Sequence, residues 1–352
     1  MLAKKNPPTG GKNNILSLLI FVVLLCFAAG CAKTHIPNEK YVQTAVIFGT
    51  VARLSAEGDE AEAAVRECLE RLDVLNRLFD ADSPDGPLAR LVSNAGSGTW
   101  VSLPPDLWHV LFVSQRYSEL TDGAWDITVA PLASLWKKSI ADGIIPSEDE
   151  LAAARNKVDW KKLELREAEQ SARLTEPYMS LDLGGVRKGF ALDECRRIYA
   201  KHHVSGLIDL GESSIAAVGG EKNGEPLRIA LRHPRENPPA HLGVINLKNA
   251  VISSSGDYEH FFLANGVRYH HILDPRTGRP ASSDVSSVFI RADADEPDAG
   301  LVSDVLSTAL FVAGTENGLA MLPNLPIRVE AAFVNETEIF AQTGGFSTGF
   351  KE

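Results

Sequence analysis

One stretch, Ser180-Leu-Asp-Leu-Gly-Gly-Val-Arg-Lys-Gly-Phe-Ala-Leu-Asp193, constrains what this chain can build more than any other. Residues 178–183 alternate polar and apolar side chains, which predicts a strand, and Val186, Phe190 and Ile198 recur at helical spacing. Between them, Gly184 and Gly185 allow a tight turn without Cβ clashes. The glycines therefore fall at a helix N-terminus, where unpaired backbone N–H groups meet the positive end of the macrodipole. Arg187 and Lys188 add cations in the first turn, where positive charge is unfavourable unless an anion offsets it. Two readings follow: a phosphate or diphosphate site, or an ordinary strand-to-helix turn whose basic side chains point to water. The motif alone does not separate them.

The start of the chain belongs to export rather than to a fold. Lys4, Lys5 and Lys12 precede an apolar run over residues 15–27, too short to span a bilayer as a mature helix and typical of an export signal. It ends Ala28-Ala-Gly-Cys31, small residues before a cysteine that resemble a bacterial lipobox and imply acylation of Cys31. A plain secretory signal cut nearby is the alternative. The expected division is a signal peptide over 1–30, a short tether over 31–40 and one domain over 41–352, lipid-anchored to a bacterial membrane on its periplasmic side or at the cell surface. Losing the three signal lysines takes the formal charge from −11 to −14, and so acidic a surface argues against nucleic acid as partner. Of the four cysteines, only Cys68 and Cys195 remain for the domain. They read as small buried hydrophobes, with a disulfide allowed but not required.

Along the domain, residues 41–53 alternate like one strand, and residues 60–79 carry a helical stripe through Ala64, Cys68, Leu72, Leu75 and Leu78. Ser102-Leu-Pro-Pro-Asp106 predicts a helix cap with early proline and acid, opening a helix through Trp108, Leu111 and Tyr117. The loop that follows holds Trp125 and Asp126, which offer an aromatic wall and a carboxylate to a ring system, unless Trp125 simply plugs the core. Strands are expected over 206–218, broken at Gly211-Glu-Ser213, and over 227–232, 244–247 and 251–254. Helices mixed with strands in this way indicate α+β or mixed α/β.

Two later segments carry candidate chemistry. In Tyr269-His-His-Ile-Leu-Asp-Pro-Arg-Thr-Gly-Arg-Pro280, strand alternation forbids His270 and His271 from facing one pocket together. In Ala299-Gly-Leu-Val-Ser-Asp-Val-Leu-Ser-Thr-Ala-Leu-Phe311, Asp304 and Thr308 are four apart on one helix face. Their oxygens suit a hard cation such as Mg2+, or Asp304 caps the helix while Thr308 bonds back to a carbonyl.

Taken together and in order, DLGG-x-x-KG, SSSGDYE, HHILDPRTG and SDVLSTALFVAG resemble the bacterial FAD:protein FMN transferases of the ApbE-like kind. The likeness begins near Phe48-Gly-Thr50 and includes Gly123-Ala-Trp-Asp-Ile-Thr128. It implies an α+β, T-fold-like architecture, with mixed sheets and helices in two lobes around a flavin cleft. It implies FAD as substrate, Mg2+ as cofactor, and transfer of FMN to a threonine hydroxyl of a partner protein, a membrane redox subunit, with release of AMP. Asp304 and Thr308 match the family's Mg2+ ligands, and the carbonyl of Gly185 matches a third. Lys188, Asp126, Phe48, Ile272 and the segment Pro87, Leu88, Ala89 match flavin-dinucleotide contacts. His271, rather than His270, matches the family histidine, expected to help deprotonate the acceptor with Asp257 or Asp274 orienting it. Three positions depart from the family pattern: Glu212 replaces the second glycine of a pair, His260 stands where a basic residue is common, and Phe48 replaces a frequent methionine. A Mg2+-dependent FAD pyrophosphatase giving FMN and AMP would use the same residues, and a non-catalytic flavin-binding lipoprotein is a third reading.

Overall fold

Strands β1 (Tyr41–Ile47) and β2 (Thr50–Glu57) pair antiparallel along their whole length, joined only by Phe48 and Gly49. Both linking residues have positive φ, 55° and 77°, as two-residue type I′ hairpins require. The predicted single strand over 41–53 is therefore a hairpin. The computed structural model describes residues 40–81, 83–220, 224–236 and 240–347; the expected signal peptide, Cys31 and nearly all of the tether lie outside them.

This hairpin is one edge of an eight-stranded antiparallel sheet, ordered β1-β2-β6-β7-β10-β15-β16-β17. Its other strands are β6 (Ser205–Leu210), β7 (Ser214–Val218), β10 (Ala250–Gly256), β15 (Ser287–Asp293), β16 (Val329–Val334) and β17 (Ile339–Gln342). Successive residues feed two different cores. Ala216, Val251, Val288, Ile290 and Phe333 point to one face, whereas Ile215, Ala217, Ile252, Phe289 and Ala332 point to the other. That double burial explains why these strands read as continuous apolar runs.

Helices cover the first face: α1 (Ala61–Leu78), α3 (Pro105–Leu120), α6 (Arg187–Lys201) and α7 (Ala299–Met321). The stripe Ala64, Cys68, Leu72, Leu75 of α1 is fully buried as expected. Where α6 crosses α7, no side chain separates the backbones. A Cβ on Gly189 would lie 2.2 Å from the Gly300 carbonyl oxygen, and one on Gly300 would lie 2.4 Å from that of Gly189. Asp193 of α6 fastens the crossing, its two carboxylate oxygens accepting from Gly300 N–H and Leu301 N–H at 2.9 Å each. Cys68 and Cys195 are both free thiols, the Cys68 thiol donating to the Cys195 carbonyl at 3.7 Å.

A two-stranded ribbon, β8 (Leu227–Arg232) with β9 (His241–Leu247), covers the opposite face through Leu231, Leu242, Ile245 and Leu247. Smaller pieces complete the unit: helix α2 (Pro87–Ser93), and a three-stranded sheet of β3 (Val101–Ser102), β5 (Ser171–Leu174) and β4 (Leu163–Arg166). Two hairpins follow, β11 (Phe261–Ala264) with β12 (Val267–His270), and β13 (Leu273–Asp274) with β14 (Arg279–Pro280). Helices α4 (Ala130–Asp142) and α5 (Glu148–Arg155) build a third small core with Leu132, Trp136 and Leu151, against which Phe262 and Tyr269 pack. From Lys40 onward the described residues cluster as one compact unit.

Two further local expectations fail. Residues 178–183 form no strand: the Asp182 N–H donates to the Ile127 carbonyl, which ties this segment to a distant loop instead of a ladder. Ser102 lies in β3, and α3 starts at Pro105 with Pro104 at its N-cap and no side-chain cap.

Candidate functional site

A cavity of about 950 Å3 opens where the start of α6, one face of α7, the end of β10, the β1–β2 turn and the β8–β9 ribbon converge. Asp304 lies at its floor, 5% exposed. Its Oδ2 accepts from the Gly189 N–H at 2.6 Å, and its Oδ1 accepts from the Ser214 hydroxyl at 2.7 Å. Burial pushes this carboxyl above the ordinary aspartate value, opposed by the Lys188 cation, the Ser214 hydroxyl and the Gly189 N–H. The Ser253 hydroxyl itself is buried with no hydrogen-bond partner. One turn along α7, Thr308 Oγ1 is 3.0 Å from Ser255 Oγ, which is 2.8 Å from Ser307 Oγ. A Cβ on Gly185 would lie 3.6 Å from Thr308 Oγ1 and 3.1 Å from the Trp125 ring.

Asp304, Thr308 and Gly185 thus come together from two segments, as the family resemblance implied. Among the described residues no three His, Cys, Asp or Glu side chains form a cage. The donors present are one buried carboxylate, hydroxyls and a main-chain segment, all hard oxygens. That set fits Mg2+, which is held by few protein ligands and keeps positions for water and phosphate. The serines are the part sequence reasoning missed. Period-two alternation from buried Val251 puts Ser253 and Ser255 on the helix-facing side of β10, so the signal was available.

Trp125 and Asp126 line the same cavity, and each does two jobs. The Trp125 ring is 6% exposed and seals against Gly185, while its Nε1–H is buried without a partner. Asp126 holds its own loop: Oδ1 accepts from the Thr128 N–H at 2.7 Å and hydroxyl at 2.6 Å, and Oδ2 accepts from the Trp160 N–H at 3.0 Å. Burial nevertheless pushes Asp126 up to about 6. A folded-state value above the ordinary 3.8 means that a bound proton favours folding. The penalty for its charge is absent below about pH 4, grows as pH rises through the interval to about 6, and is constant above. Asp126→Asn should therefore gain thermal stability relative to the parent across that interval, on top of a constant loss because an amide cannot accept from both Thr128 and Trp160. Parallel melting curves at all pH values would remove this assignment.

His271 follows β12 and lines the cavity, its N–H donating to the His260 carbonyl at 3.0 Å. The two imidazoles meet edge-on at 5.4 Å. Desolvation by the surrounding protein, then the neighbouring His260, His270 and Lys188, push His271 down to about 4, so it is neutral at pH 7. His270 faces the other way, as alternation demands, with Nε2 against the Ala281 carbonyl at 3.1 Å and its ring on Phe311. The expected orienters of His271 are engaged elsewhere. Asp257 receives a fork from Arg235 at 2.6 and 2.7 Å, and Asp274 receives one from Arg276 at 2.8 and 3.0 Å. Neither forms a hydrogen bond with His271, and neither lines the cavity.

Lys188, Phe48 and Ile272 line the cavity, and Lys188 Nζ donates to Ser213 Oγ. Pro87, Leu88 and Ala89 do not line it. They form the first turn of α2, with Leu88 buried in the core.

Comparison with known proteins agrees with this geometry. The ApbE family profile matches residues 48–333. The FAD:protein FMN transferase of Treponema pallidum is 30% identical over 334 residues, covering 90% of each chain. The protein of that name from Escherichia coli K12 is 29% identical over 306 residues, covering 82% of this chain and 84% of its own. Among solved structures, the ApbE protein of Thermotoga maritima superposes with a TM-score of 0.74 at 26% identity, covering 84% of this chain and 94% of its own. The flavin transferase ApbE of Vibrio cholerae gives 0.72 at 25% identity, with the same coverage. With a profile match across most of its length and a relative at 30% identity over nine-tenths of it, the chain belongs to the ApbE family.

Proposed function

We propose that this protein moves FMN from FAD to a threonine hydroxyl of a partner protein, releases AMP, depends on Mg2+, and works outside the cytoplasm from a lipid anchor on Cys31. The acceptor is a membrane redox subunit. One observation carries the catalytic part: oxygens of Asp304 and Thr308, the Gly185 backbone, the start of α6 with Lys188, and a neutral His271 all border one cavity. The names of the curated relatives support the same reading.

A diphosphate resists nucleophiles because its oxygens are anionic. Mg2+ held by Asp304, Thr308 and the Gly185 carbonyl would supply charge neutralisation there. Lys188 and the positive end of the α6 dipole add positive potential that is already in place before reaction. His271, uncharged at neutral pH, accepts the proton of the acceptor hydroxyl at an imidazole nitrogen, and the anionic diphosphate beside it stabilises the resulting cation. The hydroxyl oxygen bonds to the FMN phosphorus as the bond from that phosphorus to the bridging oxygen breaks, and AMP leaves with that oxygen.

The test is incubation of the protein with FAD and Mg2+, with and without a threonine-bearing acceptor, read by mass spectrometry. The acceptor should gain covalent FMN, and His271→Ala should slow that gain by about 100-fold or more near neutral pH. Free FMN and AMP without an adduct would instead mean that water replaces the acceptor. Full transfer by His271→Ala would remove the proton-accepting role.

A further inference from the structure

Arg187 and Lys188 are consecutive at the start of α6, and their side chains diverge. Lys188 reaches Ser213 and acts on Asp304. Arg187 turns toward the β1–β2 hairpin: one terminal nitrogen donates to the Phe48 carbonyl at 3.1 Å, and the guanidinium lies over the Phe48 ring, 5.2 Å from its centroid. Arg187 and Phe48 both line the cavity.

Three features of this pair go unexplained by folding. The Arg187 Nε–H is buried and has no hydrogen-bond partner. Among the described residues Arg187 forms no ion pair, and its side-chain hydrogen bond goes to the Phe48 carbonyl. Phe48 holds φ 55° at a turn position where asparagine or glycine relaxes and a bulky side chain is strained. A half-buried guanidinium with no ion pair among the described residues, braced by a strained aromatic residue beside an open cleft, is prepared for an anion.

We propose that Arg187, held by the ring and carbonyl of Phe48, takes an anionic oxygen of the substrate's diphosphate and thereby ranks flavin dinucleotide above uncharged flavin. The division of labour follows from the divergence of the two side chains. Lys188 balances the buried Asp304, while Arg187 lines the cavity with one terminal nitrogen engaged by Phe48, and planar guanidinium donors bind phosphate with strong charge-assisted hydrogen bonds. This inference rests on FAD being the substrate.

Equilibrium binding of FAD, ADP, FMN and riboflavin to the full protein in EDTA tests it without the reaction or the metal. Arg187→Gln should weaken FAD and ADP by about 10-fold or more, with a smaller salt dependence, and leave riboflavin within about 2-fold. Arg187→Lys should recover much of the FAD affinity, because it restores the charge. Arg187→Met, which keeps the bulk against Phe48 and cannot donate, should behave like Arg187→Gln and serves if that variant is unstable. Equal losses for FAD and riboflavin would reduce Arg187 to a support for the flavin ring, and unchanged FAD binding would remove it altogether. Parent protein that binds neither FAD nor ADP would overturn the proposed function itself, a failure visible before any substitution is made.

Discussion

Asp304→Asn is expected to lower FMN transfer by at least about 100-fold while leaving the metal-free protein as thermally stable as the parent, or more so. The fold should accept the change because both hydrogen bonds survive it. The amide oxygen accepts from the Gly189 N–H, and the amide nitrogen donates to Ser214 Oγ, whose hydroxyl rotates from donor to acceptor. What disappears is a buried charge that its surroundings disfavour. The chemistry should not accept it, because a neutral amide gives up the one carboxylate among the expected ligands of a divalent cation. Thermal melts with and without added Mg2+ provide a second readout: the parent should melt higher as Mg2+ rises, by mass action on the folded state, and the variant should not. Undiminished transfer by Asp304→Asn would take Asp304 out of the mechanism.

Gly189→Ala should damage stability and activity together. Its Cβ would meet the Gly300 carbonyl oxygen at 2.2 Å and Asp304 Cβ at 2.9 Å, the first a backbone atom that cannot swing aside. α6 and α7 must separate, at a cost of about 1–3 kcal/mol or more for overpacking, which lowers the melting temperature by several degrees in a domain of this size. Because the Gly189 N–H also holds Asp304 Oδ2, separation carries Asp304 and Thr308, both on α7, away from Gly185. Mg2+ affinity and turnover should fall in parallel. Gly98→Ala is the control: its Cβ has nothing within 4 Å, and its positive φ makes it strained for local reasons only. A Gly189→Ala protein that melts and turns over like the parent would show that the glycine crossing does not set the spacing of the site.

Local periodicity made much of this legible. The apolar stripe of α1, the shared face of Asp304 and Thr308, the opposed directions of His270 and His271 and the break at Gly211-Glu-Ser213 all stand as read, because each depends on residues a few positions apart. Some failures depend on partners far along the chain, and others on local pairings or backbone conformations that residue type does not announce. Residues 178–183 alternate like a strand, but the backbone acceptor for Asp182 is Ile127, so pattern was overruled by a loop contact. Asp257 and Asp274 sit near the histidines in sequence, yet Arg235 and Arg276 take both carboxylates. Phe48 hid the first hairpin, since nothing in its type favours positive φ. The meeting of Gly189 with Gly300 could not be read at all without knowing that α6 crosses α7 there.

The β11–β12 hairpin leaves the cavity at His260 and returns to it at His271. Its other face stacks Phe262 on Tyr269 and Tyr269 on Trp136, and Trp136 is pinned by its Nε1–H to the Gly278 carbonyl at 2.8 Å. Both imidazoles are thus mounted on one arm whose pivot is the small core of α4 and α5, whereas Asp304 and Thr308 are mounted on α7. Substitutions at that pivot swing the two rings as a pair and leave the oxygen donors where they are. The placement of the proton-accepting imidazole and that of the oxygen donors are consequently adjustable by separate sets of mutations, one in the small core of α4 and α5 and one along α7.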